Sequence, residues 1–247
     1  MSINAIDSPD LNTLITTLTT GNLKKQLQAI HELSAMTTEN NVDGKTGEQA
    51  LINFVREGMT GKPTAAHGSA YQLLYESSTD VARQFREQEG AAGLIKPVSD
   101  QDIDYSDLQM LLVQRDYQAA DQLTMKKLCE LAGERAIARK WVYFTEVAQF
   151  SITDLRTIDK LWRLYSEDRF GWSRQHELWM RLGKDWDRLW TQLIWKSDEG
   201  KWTRYPNEFV WDVSAPIGHL PLSNQLRGVR MIDSLLSHPA WNLDDAQ

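Results

Sequence analysis

An asparagine and two arginines near the carboxyl end are the residues whose types and spacing point most directly to chemistry. Asn224, Arg227 and Arg230 stand three residues apart. On a helix, residues with this spacing share one side and drift by about 60° per step. A guanidinium group donates a rigid fork of N–H groups that matches the geometry of a carboxylate. The spacing therefore indicates either a solvated helix face or a site for a flat ligand with two carboxylates.

An aromatic loop precedes these polar residues. The stretch from Ser197 to Pro221 contains two glycines and three prolines, which disfavour a continuous helix. Irregular loops of about 25 residues are uncommon in compact domains and are often functional. The aromatic residues in this loop are Trp202, Tyr205, Phe209 and Trp211. Either their rings pack onto the core or they line a ligand groove.

Signatures of catalysis and of metal binding are missing from the sequence. It has no GxSxG, Walker, GxGxxG or Cys-x-x-Cys motif, and its five histidines show no metal-ligand spacing. Cys129 is the single cysteine, and we interpret it as a small buried apolar residue. We therefore expect no catalytic residue and no metal site.

Composition narrows the class of protein. A chain of 247 residues can form one large domain or two small ones. Its net charge of −7 disfavours a protein dedicated to nucleic acid. No stretch approaches the about 20 apolar residues of a membrane span, and the amino terminus lacks the features of a secretion signal. With a single cysteine, these features lead us to expect a cytoplasmic protein.

Apolar residues at helical spacing predict short helices throughout the first part of the chain. The predicted helices are Leu11–Leu18, Leu23–Met36, one around Leu51–Val55, one around Tyr71–Tyr75 and one around Val81–Phe85. Short helices with short connections form a small bundle or a HEAT-like stack. The glycine-rich run Glu89–Gly93 indicates a boundary. We therefore predict an N-terminal helical bundle over residues 1–90 and a second domain over residues 91–247.

The second domain is compositionally different, because all ten tryptophans lie after residue 140. Helical patterns cover Tyr105–Val113, about Tyr117–Leu131, the segment after a capping Ser151, the apolar seam Trp179–Leu193 with a break at Gly183, and about Leu222–Ser237. Pro221 suits the first position of the last helix. Since no alternating strand pattern occurs, the predicted fold is all-α: a small N-terminal bundle and a larger helical ligand-binding core with a long aromatic loop.

Similarity to a known family is carried by three stretches, Lys127–Gly133, Trp141–Val147 and Phe209–Arg230. Through them the chain resembles the genomes-uncoupled family, tetrapyrrole-binding regulators of magnesium chelatase in chlorophyll synthesis. The similarity covers about residues 100–241, and the third stretch is long and unusual in composition. An additional helical half at the amino end, without a transit peptide, resembles the cyanobacterial members.

The resemblance implies that the helical core binds protoporphyrin IX and magnesium protoporphyrin IX, with no cofactor required. One position departs from the family, because Tyr205 stands where members can carry tryptophan; we expect this to change affinity more than function. The positions that match the family's pocket are Phe144, Val147, Trp202, Tyr205, Phe209, Asn224, Arg227 and Arg230.

The resemblance also implies a partner, the large porphyrin-binding subunit of magnesium chelatase. Oligomeric state and peripheral membrane association stay open. Two other functions stay open as well: a tetrapyrrole-modifying enzyme, which needs an acid–base pair in the groove, and a helical adaptor without a small-molecule ligand. For His219 the alternatives are a loop residue and an axial ligand of a metalloporphyrin.

Overall fold

The computed structural model describes residues 10–37, 42–223 and 228–242. These residues form helices and connecting loops, and their only strand-like pairing is an isolated antiparallel bridge between Lys196 and Trp202. The predicted all-α class is confirmed. Among the described residues, no helix has the length and apolarity needed to cross a membrane.

The chain divides into two compact units, with the division between Ile95 and Lys96. In the first unit, α2 packs against α1, α3 and α4. Its core contains the fully buried side chains of Ile30, Leu33 and Val55. The helices predicted here are confirmed, and the third is longer than its apolar residues alone indicated. The elements are α1 Leu11–Thr20, α2 Leu23–Thr37, α3 Val42–Thr60, α4 Ala65–Glu76, α5 Asp80–Phe85 and a π-helical turn Arg86–Gly90.

The second unit is also helical in its described residues. Its longest helix, α7, ends at Gly133, as predicted, where a positive φ of 90° suits glycine. The predicted break at Gly183 is confirmed, since it separates α11 from α12. The elements are α6 Ser106–Val113, α7 Tyr117–Ala132, α8 Glu134–Arg139, α9 Phe144–Val147, α10 Ile152–Leu164, α11 Trp172–Arg181, α12 Trp186–Gln192, α13 Arg230–Leu236 and a 3₁₀ turn Pro239–Trp241.

Helix α10 supplies much of the core of this unit. Ser151 caps it, accepting a hydrogen bond from the Asp154 N–H (3.4 Å). Its buried apolar face includes Leu155, Ile158 and Trp162, which are fully shielded from solvent. Each such side chain contributes about 1.5–3 kcal/mol on burial. The amphipathic pattern in the sequence therefore corresponds to the packed face.

The second half of the aromatic loop is anchored to the core by backbone groups. The Gly218 N–H donates to the Arg169 carbonyl (2.8 Å), and the Gly171 N–H donates to the Leu220 carbonyl (2.9 Å). The Gln175 amide donates to the carbonyls of Gly218 (2.9 Å) and Pro221 (2.8 Å). Since these bonds satisfy buried backbone groups, the loop is held without regular secondary structure.

The predicted start of the last helix is wrong. Helix α13 begins at Arg230, whereas the apolar pattern placed its start near Leu222. Leu222 lies outside any helix, and its N–H donates to the side chain of Asp121 (2.6 Å). Gly228 has a φ of 101°, which a right-handed helix does not accommodate. The helix face predicted for the three polar residues is therefore not continuous, and Asn224 and Arg227 lie outside the described residues.

Candidate functional site

A cleft of about 260 Å³ lies in the second unit, where α9 and α13 meet α7. Its lining is mostly apolar, with one guanidinium group from the first residue of α13. Two thioethers, three aromatic rings and one valine supply the rest of the side-chain surface. The lining residues are Met125, Trp141, Val142, Tyr143, Phe144, Gly228, Arg230 and Met231.

One side of the cleft is an aromatic wall, defined by Trp141, Tyr143 and Phe144. The guanidinium of Arg139 lies 4.8 Å from the ring centroid of Trp141 and 4.2 Å from that of Tyr143. A carboxylate oxygen of Glu146 accepts from Arg139 (2.6 Å) and from the Tyr143 N–H (2.7 Å). These contacts hold two rings of the wall in place before any ligand arrives.

The wall presents apolar surface to solvent. Tyr143 is 45% exposed and Phe144 41%, which is high for large rings. Arg230 lies over the Phe144 ring at 5.6 Å, and the Ser234 hydroxyl donates to the Phe144 carbonyl (2.9 Å). Exposed aromatic surface beside a fixed cation is typical of a ligand-binding surface.

Helix α7 connects this cleft to the aromatic loop. Met125 lines the cleft, and Gln122, one turn earlier on the same side of α7, donates to the Tyr205 hydroxyl (3.0 Å). Tyr205 is 47% exposed and packs edge-on against Trp211 at 5.9 Å between ring centroids. The apolar surface of the cleft therefore continues along α7 toward the first half of the loop.

Asp121, on the same helix, accepts a hydrogen bond from the residue after Pro221. Its side chain is buried, and burial raises its pKa to about 7. The hydrogen bond that it accepts from the Leu222 N–H acts in the opposite direction and lowers this pKa. Near neutral pH this carboxyl group therefore carries a proton for part of the time. Its hydrogen bond joins Leu222 to α7, the helix that contributes Met125 to the lining of the cleft.

Trp202 belongs to a different surface. It lines a second cavity of about 450 Å³ together with Lys196 and Glu208. Its ring lies 5.8 Å from that of Trp190, and the Lys196 ammonium lies 5.7 Å from its centroid. Trp190 is part of a tryptophan stack, with successive ring centroids 4.8, 5.2 and 5.6 Å apart, formed by Trp179, Trp186, Trp190 and Trp195.

His219 is fully buried and has partners at both ring nitrogens. Its Nδ1 lies 2.6 Å from the Leu193 carbonyl, so it must carry the proton and donate. Its Nε2 then accepts from the Val210 N–H (3.4 Å). Burial lowers its pKa, so the ring is neutral at pH 7. Of the two alternatives for His219, the structure supports the loop residue that packs in the core, because neither nitrogen is available to a metal.

The sequence-predicted site residues fall into several groups. Phe144 and Arg230 line the cleft, whereas Tyr205 does not line it and bonds to Gln122, one turn from Met125 on α7. Val147 and Phe209 are buried: the first is fully shielded, and the second packs against His219 at 5.5 Å between ring centroids. Trp202 lines the second cavity, and positions 224 and 227 lie outside the described residues.

Several lining residues had no role assigned from the sequence. Tyr143 and Trp141 stand beside Phe144 in the stretch that carried the family resemblance, and their aromatic density was the available signal. Arg139, Gln122 and Met125 carried no such signal. Gln122 and Met125 act through their place on α7, and Arg139 acts through contacts with the rings of Trp141 and Tyr143 that its sequence position alone does not reveal. Their contribution becomes visible only with the fold.

The described residues around the cleft can bind and orient a flat ligand. Among them no group of three or more His, Cys, Asp or Glu residues could hold a metal ion. Cys129 is buried, and burial raises the pKa of its thiol, which leaves it protonated and a poor nucleophile. Stacking on rings and pairing with a guanidinium are the interactions that this geometry offers.

Each of the two units matches the model of a known protein family. The family model described as GUN4-like matches residues 98–239, and the model described as ARM-like repeat domain, GUN4-N terminal, matches residues 3–89. A Ycf53-like protein of Synechocystis sp. is 43% identical over 220 residues, which cover 89% of this chain and 91% of that protein. The Arabidopsis thaliana protein named "Tetrapyrrole-binding protein, chloroplastic" is 36% identical over 146 residues, covering 56% of this chain and 55% of that protein.

Two solved structures are similar to this chain. The structure of GUN4 from Chlamydomonas reinhardtii has a TM-score of 0.56 and 37% identity, covering 60% of this chain and 95% of that one. The ligand-free structure of Arabidopsis thaliana GUN4 has a TM-score of 0.53 and 36% identity, covering 57% of this chain and 99% of that one.

Proposed function

The chain belongs to the GUN4-like family, and from this premise we propose that it binds protoporphyrin IX and magnesium protoporphyrin IX. The observation that carries the proposal is the cleft in which the exposed rings of Tyr143 and Phe144 stand beside Arg230. A porphyrin is a broad apolar disc with two carboxylates on one edge. The rings suit its face, and the guanidinium suits its edge.

Size indicates how the disc lies. A porphyrin of about 40 heavy atoms is too large for a cleft of about 260 Å³, so one part enters the cleft and the rest lies over the surface that α7 shares with Tyr205. At roughly 0.3 kcal/mol per heavy atom the binding free energy reaches about −12 kcal/mol at most. Nanomolar to micromolar affinity is therefore attainable without a covalent bond.

The predicted residues take different roles in this proposal. Phe144 and Tyr205 cover the faces of the disc, and Arg230, with Asn224 and Arg227, binds its carboxylates. Val147 and Phe209 are buried and support the rings beside them. Trp202 lines its own cavity and covers the ligand only where the disc extends beyond Tyr205.

A titration of the full-length protein tests the binding. Protoporphyrin IX is added to purified protein, and tryptophan fluorescence is followed, with free tryptophan as the control for light absorption by the porphyrin. We expect saturable quenching. Phe144→Ala should weaken binding about tenfold, because it removes a stacking ring. Ile137→Ala, an equally exposed apolar residue that does not line the cleft, should leave binding unchanged. Absence of saturable quenching would favour the alternative function, a helical adaptor protein without a small-molecule ligand.

The second part of the proposal is regulation of magnesium chelatase, through its large porphyrin-binding subunit, by a cytoplasmic protein with no chemistry of its own. A binder can deliver substrate, withdraw product or shift its partner between two states. Porphyrin incubated with this protein alone should be recovered unchanged. Chemical conversion of the porphyrin by the isolated protein would instead show that the protein is a tetrapyrrole-modifying enzyme. Added to the complete chelatase with ATP and Mg²⁺, the protein should accelerate product formation, most at low Mg²⁺. No acceleration despite tight binding would leave a carrier or sensor.

A further inference from the structure

Three tryptophan rings of the second unit connect a cavity to the protein surface. Trp190, the middle ring, is 3% exposed. On one side it lies 5.8 Å from the ring of Trp202, which lines the cavity of about 450 Å³. On the other side it lies 5.2 Å from the ring of Trp186, which is half-buried. These three rings, the tryptophan path, therefore lead from the cavity through the core to solvent.

The contacts along the tryptophan path are close enough for electron transfer. The rate of electron transfer falls steeply with distance, so rings in contact exchange an electron faster than separated rings. The planes of Trp186 and Trp190 differ by 25° and those of Trp190 and Trp202 by 56°. Indole also loses an electron more readily than a benzene ring does. An electron vacancy on one of these rings can therefore pass to the next.

Contact with solvent sets the direction in which the vacancy moves. An oxidised indole is strongly acidic at its N–H group and is trapped as a neutral radical where water takes the proton. The Trp195 N–H is buried and donates to the His219 carbonyl (2.9 Å), and the Trp179 Nε1 is shielded from water. Trp186 is the half-buried member of the tryptophan stack. It is therefore the exit, and Trp179 and Trp195 are branches that end in the core.

We propose that the tryptophan path returns an electron that the bound porphyrin loses in light, and so protects the ligand from oxidative damage. This inference rests on the proposed porphyrin binding, in which the disc extends over Tyr205 to Trp202, three residues earlier in the chain. Porphyrins absorb visible light, and an excited porphyrin can give an electron to dioxygen, which becomes superoxide. The ligand is then one electron short, and Trp202 is the ring placed to supply it.

The electrons and protons balance along the tryptophan path. Trp202 gives one electron to the ligand, which regains its starting form, and the vacancy passes through Trp190 to Trp186. The N–H bond of Trp186 then breaks, its bonding electrons stay on the ring, and water takes the proton. A soluble thiol or ascorbate returns one electron and one proton to Trp186. In total the reductant loses a hydrogen atom, whose electron reduces dioxygen and whose proton enters the water.

The test illuminates the full-length protein, saturated with protoporphyrin IX, with visible light that tryptophan does not absorb. Under argon, a cobalt(III) ammine complex replaces dioxygen as the electron acceptor, so that singlet oxygen cannot form. We expect electron paramagnetic resonance to show a neutral tryptophan radical. Trp190→Phe should remove more than half of this signal and should speed the bleaching of the porphyrin, because a benzene ring is much harder to oxidise than indole.

Trp195→Phe is the matched control. Trp195 lies 5.6 Å from Trp190 and is fully buried, but it is a branch of the tryptophan path and not a member. This variant should keep the radical signal and the bleaching rate even if it lowers the melting temperature. Trp186→Phe alters a half-buried ring and provides the test if Trp190→Phe does not fold. It removes the exit and should also remove most of the signal.

A porphyrin titration of each protein separates this inference from the function on which it rests. If the unaltered protein does not bind porphyrin, both fall. If it binds porphyrin but gives no tryptophan radical, or if Trp190→Phe keeps the full signal, binding stands and the tryptophan path is overturned. An equal loss in Trp195→Phe also overturns it, because the signal would then depend on packing. Loss in Trp190→Phe and Trp186→Phe, with the signal kept in Trp195→Phe, supports it.

Discussion

The tryptophan stack and the aromatic wall are built from the same kind of side chain, and they differ in what surrounds it. In the stack, Trp190 is 3% exposed and Trp195 is fully buried. In the wall, Tyr143 and Phe144 are 45% and 41% exposed and a guanidinium lies over each ring. The difference shows that aromatic content alone does not determine exposure: the rings of the wall stay exposed and are contacted by guanidinium groups.

The local chain explains this difference. The stack arises from α11, α12 and the residues just after α12, whose tryptophans face one another at helical spacing. The wall arises where α8 ends at Arg139 and the four-residue helix α9 begins at Phe144. Phe144, the first residue of α9, and Tyr143 before it are both exposed. Stack residues should therefore govern stability, and wall residues should govern binding.

The largest effect is expected in the stack. Trp195→Ala should lower the free energy of unfolding by about 3–5 kcal/mol, because it leaves a large cavity and removes the bond from Nε1 to the His219 carbonyl (2.9 Å). Urea unfolding measures this loss. Porphyrin affinity, measured where the variant is still folded, should change less than threefold. A tenfold loss of affinity with unchanged stability would place the stack in the binding site.

The next effect is expected at the cleft. Arg230→Glu should weaken porphyrin binding tenfold or more, because it replaces an attraction worth roughly 1.5–3 kcal/mol with repulsion. Arg227→Glu should act in the same direction. Fluorescence titration measures both, and the dimethyl ester should be less sensitive. Arg181→Glu, an exposed arginine of α11, controls for net charge. Equal losses for acid and ester would give Arg230 a structural role.

A smaller effect is expected at His219, which contacts Phe209 and the Leu193 carbonyl. Burial lowers its pKa below the unfolded value near 6.5, so its contribution to stability is present above that pH and is lost as pH falls. The loss should reach at most about 1.4 kcal/mol per pH unit.

Urea unfolding between pH 7.5 and 5.5 checks this, with His219→Gln as the comparison. The glutamine variant cannot titrate, so the free-energy difference between the two proteins should shrink as pH falls. Parallel pH profiles would show that the imidazole stays uncharged, or that its charging costs nothing.

The smallest effect is expected at Tyr205. Tyr205→Phe removes the hydroxyl that accepts from Gln122 but keeps the ring. Since the bond is exposed, its loss should cost about 0.5 kcal/mol and change porphyrin affinity about twofold. Tyr205→Ala, which also removes the ring, should weaken binding more, and the same fluorescence titration compares them. Equal effects of the two substitutions would mean that the ring does not cover the ligand.

Much of the fold was predictable because its signals are local. Capping residues and apolar spacing predicted α1, α2, α7 and α10, and glycine with proline predicted an irregular loop. The start of the last helix was not predictable in this way. Its pattern continued back to Leu222, but Leu222 is not helical, and Gly228, with a φ of 101°, stands just before the observed start at Arg230.

The sequence by itself therefore determined the helical class, most helix positions and the presence of an aromatic loop, because each depends on neighbours within one or two turns. Only the tertiary structure decided which rings are exposed, which carboxyl group is buried against the loop, and which helix contributes to the cleft. The contacts responsible join residues 83 positions apart for Gln122 and Tyr205 and 101 apart for Asp121 and Leu222. Such pairs are set by packing of whole elements, and no local pattern encodes them.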